Sequence, residues 1–148
     1  MFKSLPFYNE GLNFSCTRCS VCCRHESGFV FLTKNDADDL ATELKMTYTG
    51  FVKKYCRWVP SANNTERLSL MEKPNYDCIF WDAGCKVYNS RPLQCRAFPF
   101  WPSLMKREAW IRAGRDCPGM NQGKLFSRTE IESILESQKT QPVITREA

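Results

Sequence analysis

Four of the chain's nine cysteines fall within eight residues, as Cys16-Thr-Arg-Cys19-Ser-Val-Cys22-Cys23. Core packing does not call for that density. Thiolates are soft ligands for Zn²⁺ and for iron–sulfur clusters, and two-residue gaps let one tight turn aim several sulfurs at a common point. Whatever the chain folds into has to accommodate this turn. Cys78, Cys85, Cys95 and Cys117 follow, each among Gly, Pro or aromatic neighbours that suit a fixed turn.

The redox setting decides between disulfide and metal chemistry. At 148 residues and 43% hydrophobic, the chain is expected to form one domain, 1–148, with a partial core of its own. Nine cysteines are an odd number, so disulfides alone would leave one thiol over. The stretch Met1–Glu10 has no continuous apolar segment of the kind that marks a signal peptide, and no run of about 18 uncharged apolar residues suggests a membrane span. The expectation is a soluble, cytoplasmic chain, where clustered thiols favour metal over disulfides. The formal charge of +5 is weak evidence for nucleic acid. Four thiolates around Zn²⁺ or a [4Fe–4S]²⁺ core carry about −2, so one site lowers the charge to about +3 and two to about +1.

The pattern predicts a small α+β domain of short helices and short strands organised around a cysteine-ligated metal centre. Residues 1–15 read as an irregular lead-in, and 28–32 as a short strand ending at Thr33. Thr33 and Asp36 form a capping-box pair ahead of Ala37, Leu40, Ala41 and Leu44, which predicts a helix over 34–45. A second helix is expected over 50–56, a strand over 67–72, and a hairpin joining 79–81 to 86–88. Pro92 opens a short helix carrying Cys95. Trp110–Ala113 reads as a strand. Ser127 and Glu130 cap a final helix with Ile131, Ile134 and Leu135 on one stripe, and 139–148 reads as a frayed tail. The expected core is Phe29, Phe31, Leu40, Leu44, Phe51, Ile79, Phe80, Trp110 and Ile134.

Each candidate group has a plainer reading beside the chemical one. A thioredoxin-like dithiol fits Cys16–Cys23 poorly, because no βαβ pattern surrounds it and three two-residue steps overlap. Cys22 and Cys23 are neighbours whose side chains diverge, so only one enters a given tetrahedral shell easily. The spacings of Cys78, Cys85, Cys95 and Cys117 match no zinc-ribbon or C₂H₂ pattern. Cys56, beside Tyr55 and Trp58, reads as a buried small hydrophobe. His25, the chain's one histidine, reads as a surface residue or a supporting partner rather than a ligand. Arg91 and Arg96 flank Cys95 and can donate to cluster sulfurs or to neighbouring carbonyls. Phe98, Phe100 and Trp101 are either core or a dry wall beside a cluster. No Walker loop, G-x-G-x-x-G, G-x-S-x-G, H-E-x-x-H or radical S-adenosylmethionine motif is present.

Taken together, Cys16-x-x-Cys19-x-x-Cys22-Cys23, Cys78-Ile-Phe, Cys85-x-Val-Tyr-x-x-Arg91-Pro92-x-x-Cys95-Arg96-x-Phe-Pro99 and Cys117-Pro-Gly119 resemble the CxxCxxCC family. These are YkgJ-type zinc- or iron-chelating, Fe–S-cluster-containing domains, and the likeness spans about residues 14–135. The resemblance implies that the eight cysteines are the metal set, with Arg91 and Arg96 as companions and Cys56 outside the pattern. Members often carry Gly where this chain has Ser20. A related domain occurs in flagellin lysine methylases, but this chain is much shorter and shows no separate cofactor-binding region, so methyl transfer is not expected of it.

The favoured expectation is a cysteine-cluster protein holding an iron–sulfur cluster, 4Fe–4S, and/or structural zinc through Cys16, Cys19, Cys22, Cys23, Cys78, Cys85, Cys95 and Cys117. Arg91 and Arg96 would contact the cofactor. Metal ions and a protein or redox partner are the expected partners, with no membrane and no nucleic acid. A small iron-dependent oxidoreductase or protein-modifying enzyme is the first alternative, and it needs an open coordination position. A zinc-stabilised nucleic-acid or protein binding module is the second, and its phosphate contacts would weaken steeply with salt.

Overall fold

The computed structural model describes residues 4–17, 29–75, 77–82 and 84–148. The chain falls into two compact units, one of Met1–Val21 with Ala97–Thr140 and the other of Cys22–Arg96 with Gln141–Ala148. Among the described residues there are five α-helices and five strands, so the chain is α+β.

In the second unit, α1 (Lys34–Glu43) starts as the sequence predicts. Thr33 Oγ1 accepts from Asp36 N at 3.1 Å, and Asp36 Oδ2 accepts from Thr33 N at 2.9 Å. This satisfies two backbone donors that a helix start otherwise leaves over. Ala37, Leu40 and Ala41 form its buried face. The second helix, α2 (Tyr48–Tyr55), begins two residues earlier than expected because Thr47 caps it through Gly50 N.

The chain then turns directly into β2 (Cys56–Pro60), where a helix end had been expected at Cys56. β2 forms an antiparallel hairpin with β3 (Thr65–Leu70), pairing Cys56 with Leu70 and Trp58 with Leu68. Asn63 and Asn64 make the turn with φ of 58° and 56°, a left-handed conformation that asparagine tolerates better than most residues.

Two sequence expectations need correction here. Residues 29–33 form isolated bridges rather than a full strand, Phe31 to Ser69 of β3 and Thr33 to Val143, with Leu32 N donating to Leu68 O and Leu70 N to Val30 O. The expected tail is β5 (Thr145–Glu147), which pairs with β3 over Thr65–Arg67 and completes the order β2-β3-β5. Arg146 anchors this edge by bonding Glu66 at 3.0 Å and stacking 4.1 Å over Trp58. The core of this unit is Leu32, Leu40, Phe51, Leu68, Leu70, Phe80 and Val87, with Leu44 and Ile79 at its margin. Phe29 is not part of it. It is 46% exposed, and Arg57 and Arg67 lie over the Phe29 and Phe31 rings at 5.0 and 4.1 Å.

The first unit is aromatic. Phe100 stacks on Trp110 at 5.8 Å and meets Phe126 at 4.9 Å, above the buried Ile131 and Met120. Trp110 sits on α4 (Arg107–Asp116), not on a strand. Trp110 is buried and Ala113 half-buried, while Ile111 is 51% exposed, so burial repeats at i and i+3 and follows the helical period. The lead-in is not irregular either. β1 (Leu12–Phe14) pairs antiparallel with β4 (Met120–Phe126), and the register shifts between Asn13 and Phe14. Asn121 (φ 65°) and Gly123 (φ 74°) supply the backbone that this irregularity needs. The last helix, α5 (Arg128–Thr140), carries the expected Ser127–Glu130 cap and buries Ile131, with Ile134 and Leu135 beside it.

Candidate metal centre

Cys19, Cys22, Cys23 and His25 lie outside the described residues. The other candidates occupy defined positions, each within its own unit.

In the first unit, Cys16 follows β1 and is exposed, while Cys117 is buried at the C-terminal end of α4. One backbone contact brings their chain segments together. Ser15 N donates to Gly119 O at 3.1 Å, one residue before Cys16 and two residues after Cys117. A Cβ on Gly119 would lie 2.2 Å from Ser15 O, inside any allowed contact. The glycine of Cys117-Pro118-Gly119 is therefore set by close backbone approach rather than by an unusual φ. On the other side of Ser15, a Cβ on Gly123 would lie 1.9 Å from its Oγ, and that oxygen accepts from Lys124 N at 3.0 Å. Two glycines thus grip the residue that precedes the cysteine run. Cys117 belongs to the buried cluster of Phe100, Trp110, Met120 and Ile131, against which Phe14 and Phe98 pack, with Phe14 edge-on to Phe98 at 6.1 Å. Phe98 precedes Pro99 through a cis peptide bond.

In the second unit, Cys78 and Cys85 flank a compact, hairpin-like turn, as the sequence predicts, with Lys86 N donating to Phe80 O at 2.9 Å. Trp81 N donates to Cys78 O at 2.8 Å, Asp82 N to Gly84 O at 2.9 Å, and Trp81 bridges Cys85. Lys73 Nζ reaches back to Trp81 O and braces the turn. Both cysteines are half-buried against the core cluster that includes Phe80 and Val87.

Cys95 is the central residue of the short helix α3 (Leu93–Ala97), which Pro92 precedes as expected. The flanking residues hold this helix against the segment that leaves the cysteine run. Gln94 Oε1 accepts from Phe31 N at 3.1 Å, and its Nε2 donates to Phe29 O at 2.8 Å, so its amide stands in for a strand neighbour. Asp36 Oδ1 accepts from Leu93 N at 2.9 Å. Arg96 Nε donates to Arg91 O at 2.9 Å, and one of its terminal nitrogens lies 3.7 Å from Asp36 Oδ1. Arg91 Nε donates to Tyr88 O at 3.0 Å, with the guanidinium 3.9 Å over the Tyr88 ring. Both arginines thus bond neighbouring carbonyls.

Cys56 belongs to neither arrangement. It pairs with Leu70 in the β2–β3 ladder, is 6% exposed, and burial pushes its thiol up to about 12. Such a thiol stays protonated and behaves as a small hydrophobe.

Among the described residues, no three His, Cys, Asp or Glu side chains gather into a metal-sized group. The donor set still suits a soft metal, because every candidate ligand is a thiol. Sequence reasoning found the thiols but missed their supports. Gly119 is marked in sequence only as part of a turn, Gln94 and Gly123 carry no local signal of their role, and Asp36 announces only its helix cap.

A thiol-rich set on braced turns defines a class, the cysteine-based metal chelators, and comparison with known proteins places the chain within it. The chain belongs to the CxxCxxCC family, described as "Putative zinc- or iron-chelating domain", whose model matches residues 15–119. It is also similar to an uncharacterised protein of Methanocaldococcus jannaschii, 29% identical over 103 residues that cover 66% of this chain and 52% of that protein. The chain therefore spans about half the length of that relative. No solved structure matches. No helix among the described residues is long and apolar enough to cross a membrane.

Proposed function

We propose that this chain is a cysteine-cluster protein whose eight thiols, Cys16, Cys19, Cys22, Cys23, Cys78, Cys85, Cys95 and Cys117, hold an iron–sulfur cluster, zinc, or both. The observation that carries this reading is the sorting of the described cysteines. Cys16 follows β1, Cys78 and Cys85 sit at isolated bridges on either side of a turn, Cys95 lies on a short helix and Cys117 caps α4, while Cys56 lies within a continuous strand ladder of the core. Eight thiolates exceed the four of a single tetrahedral ion, so they suit one [4Fe–4S] cluster plus a zinc site, or two four-thiolate sites.

The burial of Cys117 in a largely aromatic core cluster favours an iron–sulfur centre, since dry apolar surroundings limit solvent and tune potential. When bound, such a group supplies one-electron redox chemistry, and zinc supplies structure. The chain's own residues provide the soft donors, keep Cys117 within a buried aromatic cluster, and fix the donor-bearing segments through Gly119, Gln94 and Asp36.

The test is anaerobic purification followed by iron, sulfide and zinc analysis. Brown protein with near-equal iron and sulfide supports the cluster. Colourless protein with stoichiometric zinc and no sulfide removes the cluster and keeps the chelation. Protein without either metal ends the reading.

A further inference from the structure

Asp36 is a carboxylate held almost wholly out of water, its side chain 2% exposed, in a region where a surface acid would serve as a helix cap. Burying that charge is costly unless donors surround it. Its capping role uses one oxygen, Oδ2, on Thr33 N at 2.9 Å. The other oxygen does something a cap does not require. Oδ1 accepts from Leu93 N at 2.9 Å, 57 residues further along the chain, and faces the Arg96 guanidinium at 3.7 Å. Leu93 N belongs to the first turn of α3, where the helix itself supplies no acceptor. Pro92 and Leu93 are buried, so packing and the Asp36 bond together fix this first turn. A shift of the turn would re-aim Cys95, two residues further on.

We infer that Asp36 is a positioning residue for the metal centre, acting through α3 to fix the direction of the Cys95 thiolate. The inference rests on Cys95 being a ligand, as proposed above. Gln94 supports the same helix from its other side through Phe29 O and Phe31 N. Asp36 differs from Gln94 in tying α3 to a long, well-packed helix, so the reference frame for Cys95 is α1. Partners that orient a metal ligand typically change metal affinity about 10–100-fold when removed.

The experiment compares the metal-bearing full chain with Asp36→Asn and Thr33→Ala. Thr33→Ala removes the other half of the α1 cap and leaves both Asp36 oxygens with their donors. Release of the native metal is followed with a colorimetric chelator, 4-(2-pyridylazo)resorcinol for zinc or bathophenanthroline for iron, well below the melting temperature. Asp36→Asn should release metal about tenfold faster or more, and Thr33→Ala within about twofold of wild type. In a Cys95→Ser background, Asp36→Asn should add no further acceleration. Equal release from both cap variants, or full additivity with Cys95→Ser, overturns the inference and assigns Asp36 to helix stability alone. If Asp36→Asn does not fold, Asp36→Glu carries the same comparison, because it keeps the charge and displaces the oxygen from Leu93. A wild-type chain that holds no metal overturns the ligand reading itself, and so is distinguishable from failure of this inference.

Discussion

Cys56 and Cys117 are equally buried, each 6% exposed, yet they belong to opposite kinds of region. Cys56 sits in a regular β-ladder, paired with Leu70, in the core of Leu32, Leu40, Phe51 and Leu68, and its N–H donates to Val52 O at the end of α2. Cys117 ends α4 in a Pro-Gly turn whose backbone lies against Ser15 so closely that no side chain fits at Gly119. Exposure therefore does not separate a structural thiol from a candidate ligand. Local backbone does: a ladder packs its cysteine as a small hydrophobe, whereas a turn fixed by glycine contact presents its cysteine in one direction.

The largest effect that would sharpen this contrast is metal removal. The braced turns have little regular structure to hold them, and structural zinc sites contribute roughly 10 kcal/mol or more in small domains. Chelator treatment should abolish the cooperative calorimetric unfolding transition. A sharp transition at the original temperature after complete metal removal would show that the aliphatic and aromatic cores suffice alone.

Gly119→Ala and Leu68→Ala come next, one in each region. A Cβ 2.2 Å from Ser15 O forces backbone displacement, with an expected loss of about 1–3 kcal/mol and reduced metal content. Leu68→Ala, in the ladder region, should cost about 2–5 kcal/mol in denaturant titration while the folded protein keeps its full metal complement. If Leu68→Ala sheds metal and Gly119→Ala does not, the assignment of roles to the two regions is reversed.

The smallest effect is alkaline. The Cys56 thiol ionises near 9.0 when unfolded and at about 12 when folded, because burial raises it. The unfolded chain thus loses this proton first, and the associated stability is intact below pH 9 and lost as pH rises from there toward 12. Cys56→Ala should weaken that decline between pH 9 and 11 in denaturant titrations, and in the wild type Cys56 should resist iodoacetamide at pH 8.

How much of this was legible in the sequence follows the range of the interactions. The α1 and α5 caps were readable because Thr33 with Asp36, and Ser127 with Glu130, act within four residues. Pro92 before α3 was readable for the same reason. β1, β4 and β5 were not, because strands of three to seven mostly exposed residues form only by pairing with distant partners. Trp110–Ala113 misled as a strand because a four-residue window cannot separate a period of two from one of 3.6. In the candidate site the thiols were plain, since cysteine chemistry is local. The bonds from Gln94 and Asp36 span 57 to 65 residues and leave no local trace.

The most direct test of the central claim is metal content per chain in Cys117→Ser and Cys56→Ser, purified side by side without air and measured by plasma emission spectroscopy. The account predicts wild-type metal in Cys56→Ser and loss of at least one metal site in Cys117→Ser. Equal metal content in the two variants would contradict it.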